Sequence, residues 1–149
     1  MQVRQAEIGD QIDLERIYSD SISLAAWLPD SVRRSVISFA ADSEGEIVHV
    51  ASDAVNKVQG FISVWQPESF IHHLYVAPSF QQQGVGTMLL QSLDTWLPRP
   101  WRLKCTQANE AAFAFYKKRG WNVIEPGQSD HGPYWLMQCE SIPIAIQRR

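Results

Sequence analysis

Residues 70–90 read FIHHLYVAPSFQQQGVGTMLL and restrict the fold more than any other stretch. The segment from Phe70 to Val76 is apolar, aromatic and β-branched, the composition of a strand. Pro78 ends it, because proline brings no donor to a ladder. After Gly86 the apolar period becomes helical, with Met88, Leu89, Leu93 and Trp96 or Leu97 on one stripe. The unit is therefore a strand, a glycine turn and a helix. The first turn of any helix leaves about four backbone N–H groups unpaired. The helix dipole adds partial positive charge at the same end. Gly84 and Gly86 carry no Cβ, so an anion can approach the main chain, and the turn is a candidate phosphate cradle. A tight connection with no ligand is the competing explanation of the same two glycines.

Spacing separates this turn from the common nucleotide loops. A Walker loop requires Lys after its last glycine, and Thr87 follows Gly86. A dinucleotide fingerprint requires a third glycine where Leu89 stands, and belongs near the start of a βαβ repeat rather than mid-chain. What remains is Q-x-x-G-x-G, Gln81 to Gly86, behind L-Y-V-x-P. A second segment begins at Asn109, passes Ala112, Phe115 and Tyr116, and closes on Gly120 and Trp121. The two segments resemble, in order and spacing, the [QR]-x-x-G-x-[GA] and N-x-x-A-x-x-F-Y-x-x-x-G-[FW] signatures of the GNAT-type N-acetyltransferases. The resemblance covers about residues 58 to 125, and the flanks match only in the order of their elements.

The remaining elements follow from pattern. Strands are expected at 3–6, 47–52, 57–65, 70–76, 101–106, 121–124 and 134–139. Helices are expected from 10 to about 20 with Asp10 as cap, from 31 to 41 with Val32, Val36 and Phe39 as one face, from the glycine turn to about 97, and from Asn109 to Arg119. Gly120 is expected as a left-handed C-cap, and residues 126–133 as a polar loop. The 142–149 tail receives no assignment. This order argues for an α+β class, an α/β mixed three-layer sandwich. The resemblance implies a mixed, mostly antiparallel seven-stranded sheet flanked by four helices, in one domain over 1–149.

Composition narrows the partners. A net charge of −3 gives no footprint for a nucleic acid backbone. No early apolar segment resembles a signal peptide and no run of about 18 apolar residues could span a bilayer. Cys105 and Cys139 have no metal-binding spacing and lie in strand-like apolar stretches, as buried thiols of a reducing cytoplasm would. A cytoplasmic protein without membrane or nucleic acid partners is expected, with a homodimer left open.

The resemblance implies transfer of the acetyl group of acetyl-CoA to a primary amine of a small molecule or a lysine side chain, by direct attack in a ternary complex and without a metal. Gln82, Gln83, Gly84, Val85, Gly86 and Thr87 would wrap the pyrophosphate with backbone N–H groups, and Gln81 would brace the turn. Leu74, Tyr75 and Val76 would pair with pantetheine as if it were an added strand, with an N–H near Leu74 facing the oxyanion. Asn109 is an N-cap on structural grounds and a coenzyme contact by resemblance. Tyr116 lies on a helical stripe with Ala112 and Phe115, which a core tyrosine would also do. The resemblance puts it beside the coenzyme sulfur, as proton donor to the leaving thiolate.

The acceptor demands a base. An amine with pKa near 10.4 is neutral about once in 2,500 molecules at pH 7, a penalty of roughly 4.6 kcal/mol. His72 is the base implied by amine-acetylating relatives, with His49, His73, His131 or a water relay as alternatives. Alternation along the strand is expected to send His72 and His73 to opposite faces, His72 with Leu74 and Val76. Trp27 is expected to line the acceptor pocket. Glu44, Glu46 and Glu68 read as solvated turn residues. Lys104 stands where relatives that modify protein N-termini often carry Glu, which argues against that substrate class. Two other readings compete: a non-catalytic acetyl-CoA-binding regulatory module, and a nucleotide-binding protein that merely shares a glycine turn.

Overall fold

The computed structural model describes residues 1–140, so the 142–149 tail lies outside the described residues. Seven strands form one sheet in the order β1-β2-β3-β4-β5-β7-β6. They are β1 Gln2–Gln5, β2 Ile47–Ser52, β3 Val58–Trp65, β4 Phe70–Val76, β5 Trp101–Thr106, β6 Asn122–Ser129 and β7 Gly132–Cys139. Every neighbouring pair is antiparallel except β4 with β5. The α+β class and the mixed, mostly antiparallel seven-stranded sheet are as expected. β3, third across the sheet, is buried along almost its whole length.

Its alternating side chains feed two cores, one on each face. Ile62 and Val64 join Val85, Leu89, Leu90, Leu93, Trp101 and Trp121 on one side. Phe61 joins Leu14, Ile17, Tyr18, Phe39 and Val50 on the other. The first core is covered by α4 Val85–Ser92 and α5 Glu110–Lys118, the second by α1 Gln11–Ser23. Asn109 caps α5 by accepting from the Ala112 N–H at 3.2 Å. Gly120 ends it at φ +90°, which returns the Trp121 N–H to the Tyr116 carbonyl at 3.1 Å. Trp121 is thereby buried against Trp101 and Tyr116.

Four expectations require correction. The helix over 31–41 is two single turns, α2 Asp30–Arg33 and α3 Phe39–Asp42. Its supposed stripe fails because Val36 is fully exposed while Phe39 is buried. Ser38 caps α3 instead, and the Glu15 carboxylate of α1 accepts from the N–H groups of Phe39 (2.7 Å) and Ala40 (2.9 Å), so tertiary capping restarts the helix there. Among the described residues the flanking α-helices therefore number five, two of them one turn long. Asp10 does not cap α1 with its side chain. Its carboxylate takes two bonds from Arg4, at 2.8 and 3.0 Å, and one from the Glu7 N–H at 2.7 Å. The helix after the glycine turn stops at Ser92 and tightens into a 3₁₀ turn over Leu93–Thr95. Residues 126–133 are not a loop, because β6 and β7 form a hairpin that turns at Asp130 and His131. Pro126 is tolerated because β6 is the edge strand. The Tyr134 ring lies over Gly127, where a Cβ would come within 2.2 Å of it and displace the end of that side chain.

Candidate active site

The sheet opens where β4 and β5 meet. These parallel strands share one ladder pair, Phe70 with Arg102. Beyond it, among the described residues, the β5-facing edge of Leu74, Tyr75 and Val76 has no partner strand. Main-chain donors and acceptors left at such an edge call for an extended ligand or water.

The glycine turn begins where this edge ends. Gln82 and Gly84 take positive φ, +62° and +84°, and Gly84 leads directly into the first turn of α4. Gln81 donates to the Val76 carbonyl at 3.3 Å and Gln83 to the Ser79 carbonyl at 3.4 Å. Both side chains thus brace the turn. A Cβ on Gly84 would meet nothing within 4 Å, and one on Gly86 would make only ordinary contact with Phe115 and Val76. The space above the turn is open, a cradle not filled by the protein's own atoms. A cavity of about 700 Å³ occupies it, lined by Leu74, Tyr75, Val76, Gln81, Gln82, Gly84, Val85, Gly86, Thr87 and Asn109, but not by Gln83. Arg119 also lines it, a cation that the sequence reading did not single out. Its guanidinium donates to the Thr87 hydroxyl at 2.7 Å and to the Phe115 carbonyl at 2.9 Å, and stacks on the Phe115 ring at 3.7 Å. Open main chain, a helix N-terminus and a fixed cation together suit a phosphate-bearing ligand with an extended arm.

A second cavity of about 510 Å³ adjoins the first. Trp27, Leu74, Tyr75, Asn109, Ala112 and Tyr116 line both, and Tyr116 stands at the junction. Its phenol is buried, and burial first, then the neighbouring Cys105 and Tyr75, pushes its pKa well above the ordinary value. It therefore carries its proton throughout the neutral range and can donate it. Tyr75 is pushed up to about 12, also by burial. Cys105 lines the second cavity, and burial raises its thiol to about 11. It is a poor nucleophile at neutral pH.

Asp42, His72, His73, Lys104, Asp130 and His131 also line the second cavity and make part of its wall polar. His49 lies elsewhere, stacked on Trp96 at 4.8 Å. The two adjacent histidines do not face opposite ways. Ser63 pairs with His73 but Val64 with Ile71, so His72 is the extra residue of a β-bulge. The imidazoles come to lie side by side, ring centroids 4.1 Å apart. His73 is buried among Tyr18, Phe39 and Tyr75, and desolvation, then the neighbouring His72, lowers its pKa to about 4. His72 is half-exposed, and its Nδ1 lies 2.5 Å from a carboxylate oxygen of Glu46. Glu46 is not a solvated turn residue: its side chain is 7% exposed, and its other oxygen accepts from the Ser63 hydroxyl. One signal for this was present in the sequence, since alternation puts Glu46 on the face of Val48 and Val50.

The sequence model of the acetyltransferase (GNAT) family matches residues 12–121. The chain belongs to this family of acetyl-CoA-dependent N-acetyltransferases. Its fold is shared with solved structures at low identity. Apo YjaB from Escherichia coli is 20% identical with a TM-score of 0.72, over 92% of this chain and 95% of that one. YncA from Salmonella typhimurium, a putative acetyltransferase solved with its cofactor acetyl-CoA, is 20% identical with a TM-score of 0.70, over 94% and 93%. A phosphinothricin acetyltransferase from Sinorhizobium meliloti, in complex with acetyl-CoA, is 19% identical with a TM-score of 0.69, over 93% and 87%. No curated protein matches the chain by sequence. Among the described residues, no helix is long and apolar enough to cross a membrane.

Proposed function

We propose that this protein transfers the acetyl group of acetyl-CoA to a primary amine, of a small molecule or of a lysine side chain, within a ternary complex. The observation that carries this reading is the meeting of two cavities at Leu74, Tyr75 and Tyr116. The larger one holds the coenzyme: the N-terminus of α4 and Arg119 take the phosphates, and the open edge of β4 takes pantetheine. The smaller one holds the acceptor.

His72 removes the proton that keeps the acceptor amine unreactive. As the new C–N bond forms, a backbone N–H near Leu74 stabilises the negative charge gathering on the carbonyl oxygen. Tyr116 donates its proton to the sulfur as the C–S bond breaks, and regains one from the nitrogen. Cys105 takes no part, because burial raises its pKa to about 11 and keeps it a thiol at neutral pH.

Incubation with labelled acetyl-CoA and a panel of amines, from polyamines to a lysine peptide, tests the proposal. Acetylation of at least one amine is expected. Tight binding of acetyl-CoA with no turnover on any amine would instead identify a regulatory module.

A further inference from the structure

Around His72 the titratable groups come from every element that borders the second cavity. They are His73 and Tyr75 on β4, Tyr18 on α1, Asp42 on α3, Lys104 and Cys105 on β5, Tyr116 on α5, Tyr134 on β7, Asp130 and His131 in the β6–β7 turn, and Glu46 before β2. Only one of them is hydrogen-bonded to the His72 ring among the described residues, and that is Glu46. Asp42 is engaged by the Tyr18 hydroxyl at 2.6 Å, and Lys104 stands over the Tyr134 ring at 5.0 Å.

We propose that Glu46 is the positioning residue for His72: held by the Ser63 hydroxyl, its carboxylate takes the Nδ1–H and leaves Nε2 as the proton acceptor of the acceptor cavity. This rests on the acetyl-transfer reading above. Three observations carry it. The Glu46 side chain is nearly buried while His72 is 47% exposed, so the carboxylate is the fixed partner and the ring the accessible one. Both Glu46 oxygens are engaged, one by Ser63 and one by His72, which sets the carboxylate plane. The bulge at β4 turns the His72 ring toward Glu46 in a way that regular alternation would not. A neutral imidazole carries one N–H, so a carboxylate at Nδ1 selects the tautomer whose lone pair is on Nε2.

Glu46, His72 and His73 also place three ligand-type atoms within 4.8 Å of one another. The Glu46–His72 separation of 2.5 Å suits a shared proton and not a shared ion. Two ligand atoms each about 2.1 Å from one zinc would stand about 3 Å or more apart.

Two measurements test the assignment. Long-range proton–nitrogen NMR of the labelled imidazoles of the parent protein, at pH 8, is expected to show His72 as the Nδ1–H tautomer. Steady-state kinetics on whichever amine is acetylated are expected to show kcat about 10²-fold lower in Glu46→Gln, with KM for the amine within twofold. On a His72→Gln background the Glu46→Gln change is expected to cost nothing further, because the two residues act as one unit. An Nε2–H His72 in an active parent protein overturns the proposal alone. So does Glu46→Gln turning over at the parent rate, or losses that multiply in the double variant. An NMR or kinetic response to zinc that removal by chelator reverses, with higher activity in the loaded form, overturns it in favour of a metal centre. Failure of the parent protein to acetylate any amine overturns the transfer reading, and the proposal with it. The parent spectrum needs no variant to fold.

Discussion

At the residue scale, Tyr116 and His73 show how burial sets a protonation state. Burial holds the Tyr116 phenol protonated, so Tyr116→Phe removes a donor and little else. A loss of about 10²-fold in kcat is expected, with the acetyl-CoA Kd by calorimetry within twofold. An unchanged kcat would mean the thiolate leaves with its proton from another source. His73 has the opposite sign of shift, since desolvation opposes its charged form. Its folded-state pKa, about 4, lies below the ordinary imidazole value near 6.5. The unfolded chain therefore binds more protons than the folded one between those values. Stability is complete above about pH 6.5 and declines as pH falls toward 4. Melting curves from pH 7.5 to 4.5 are expected to show this decline, and His73→Phe, which keeps an aromatic ring among Tyr18, Phe39 and Tyr75, is expected to flatten its upper part.

At the element scale, the glycine turn and the α5 cap are local devices with local costs. Asn109→Ala removes the bond to the Ala112 N–H and is expected to cost about 1 kcal/mol, or roughly 2–4 °C in Tm by calorimetry. Gly84 sits at φ +84° in open space, so a valine there pays for backbone strain and then stands in the cradle. Gly84→Val is expected to weaken acetyl-CoA binding at least tenfold in a chain that still folds; unchanged affinity would move the phosphates elsewhere. These devices were legible in the sequence because each depends on residues within a few positions of one another. Gly120 as a left-handed stop and Asn109 as a cap are of the same kind. What escaped reading depends on distant partners. The bulge that puts His72 beside His73 is a register slip between β3 and β4 and has no signature in HHLYV. Glu46 is buried by Ser63 and His72, which are 17 and 26 residues away. The α1 carboxylate of Glu15 restarts a helix at Phe39 from 24 residues away. Gly127 and Pro126 look like loop residues until Tyr134 is seen lying over the glycine.

At the scale of the whole molecule, ligand binding and stability are linked. A coenzyme that binds only the folded chain adds about 2.7 kcal/mol at a hundred times its Kd, or roughly 5–10 °C in Tm. Thermal shifts with acetyl-CoA, ATP and NAD are expected to rank acetyl-CoA first. Stabilisation by ATP or NAD alone would favour the nucleotide-binding reading. The single Phe70–Arg102 ladder pair has a further consequence. Strands β1–β4 and β5–β7 are two panels stitched at one corner, and the seam between them is closed by whatever lies along it. An empty seam should breathe, with fast amide exchange at Leu74, Val76, Lys104 and Thr106, whose N–H groups face it, and a loaded one should quiet both margins together. A cosubstrate bound along it would act as a structural rivet for as long as it stayed, and each turnover would loosen the sheet at the moment the product left.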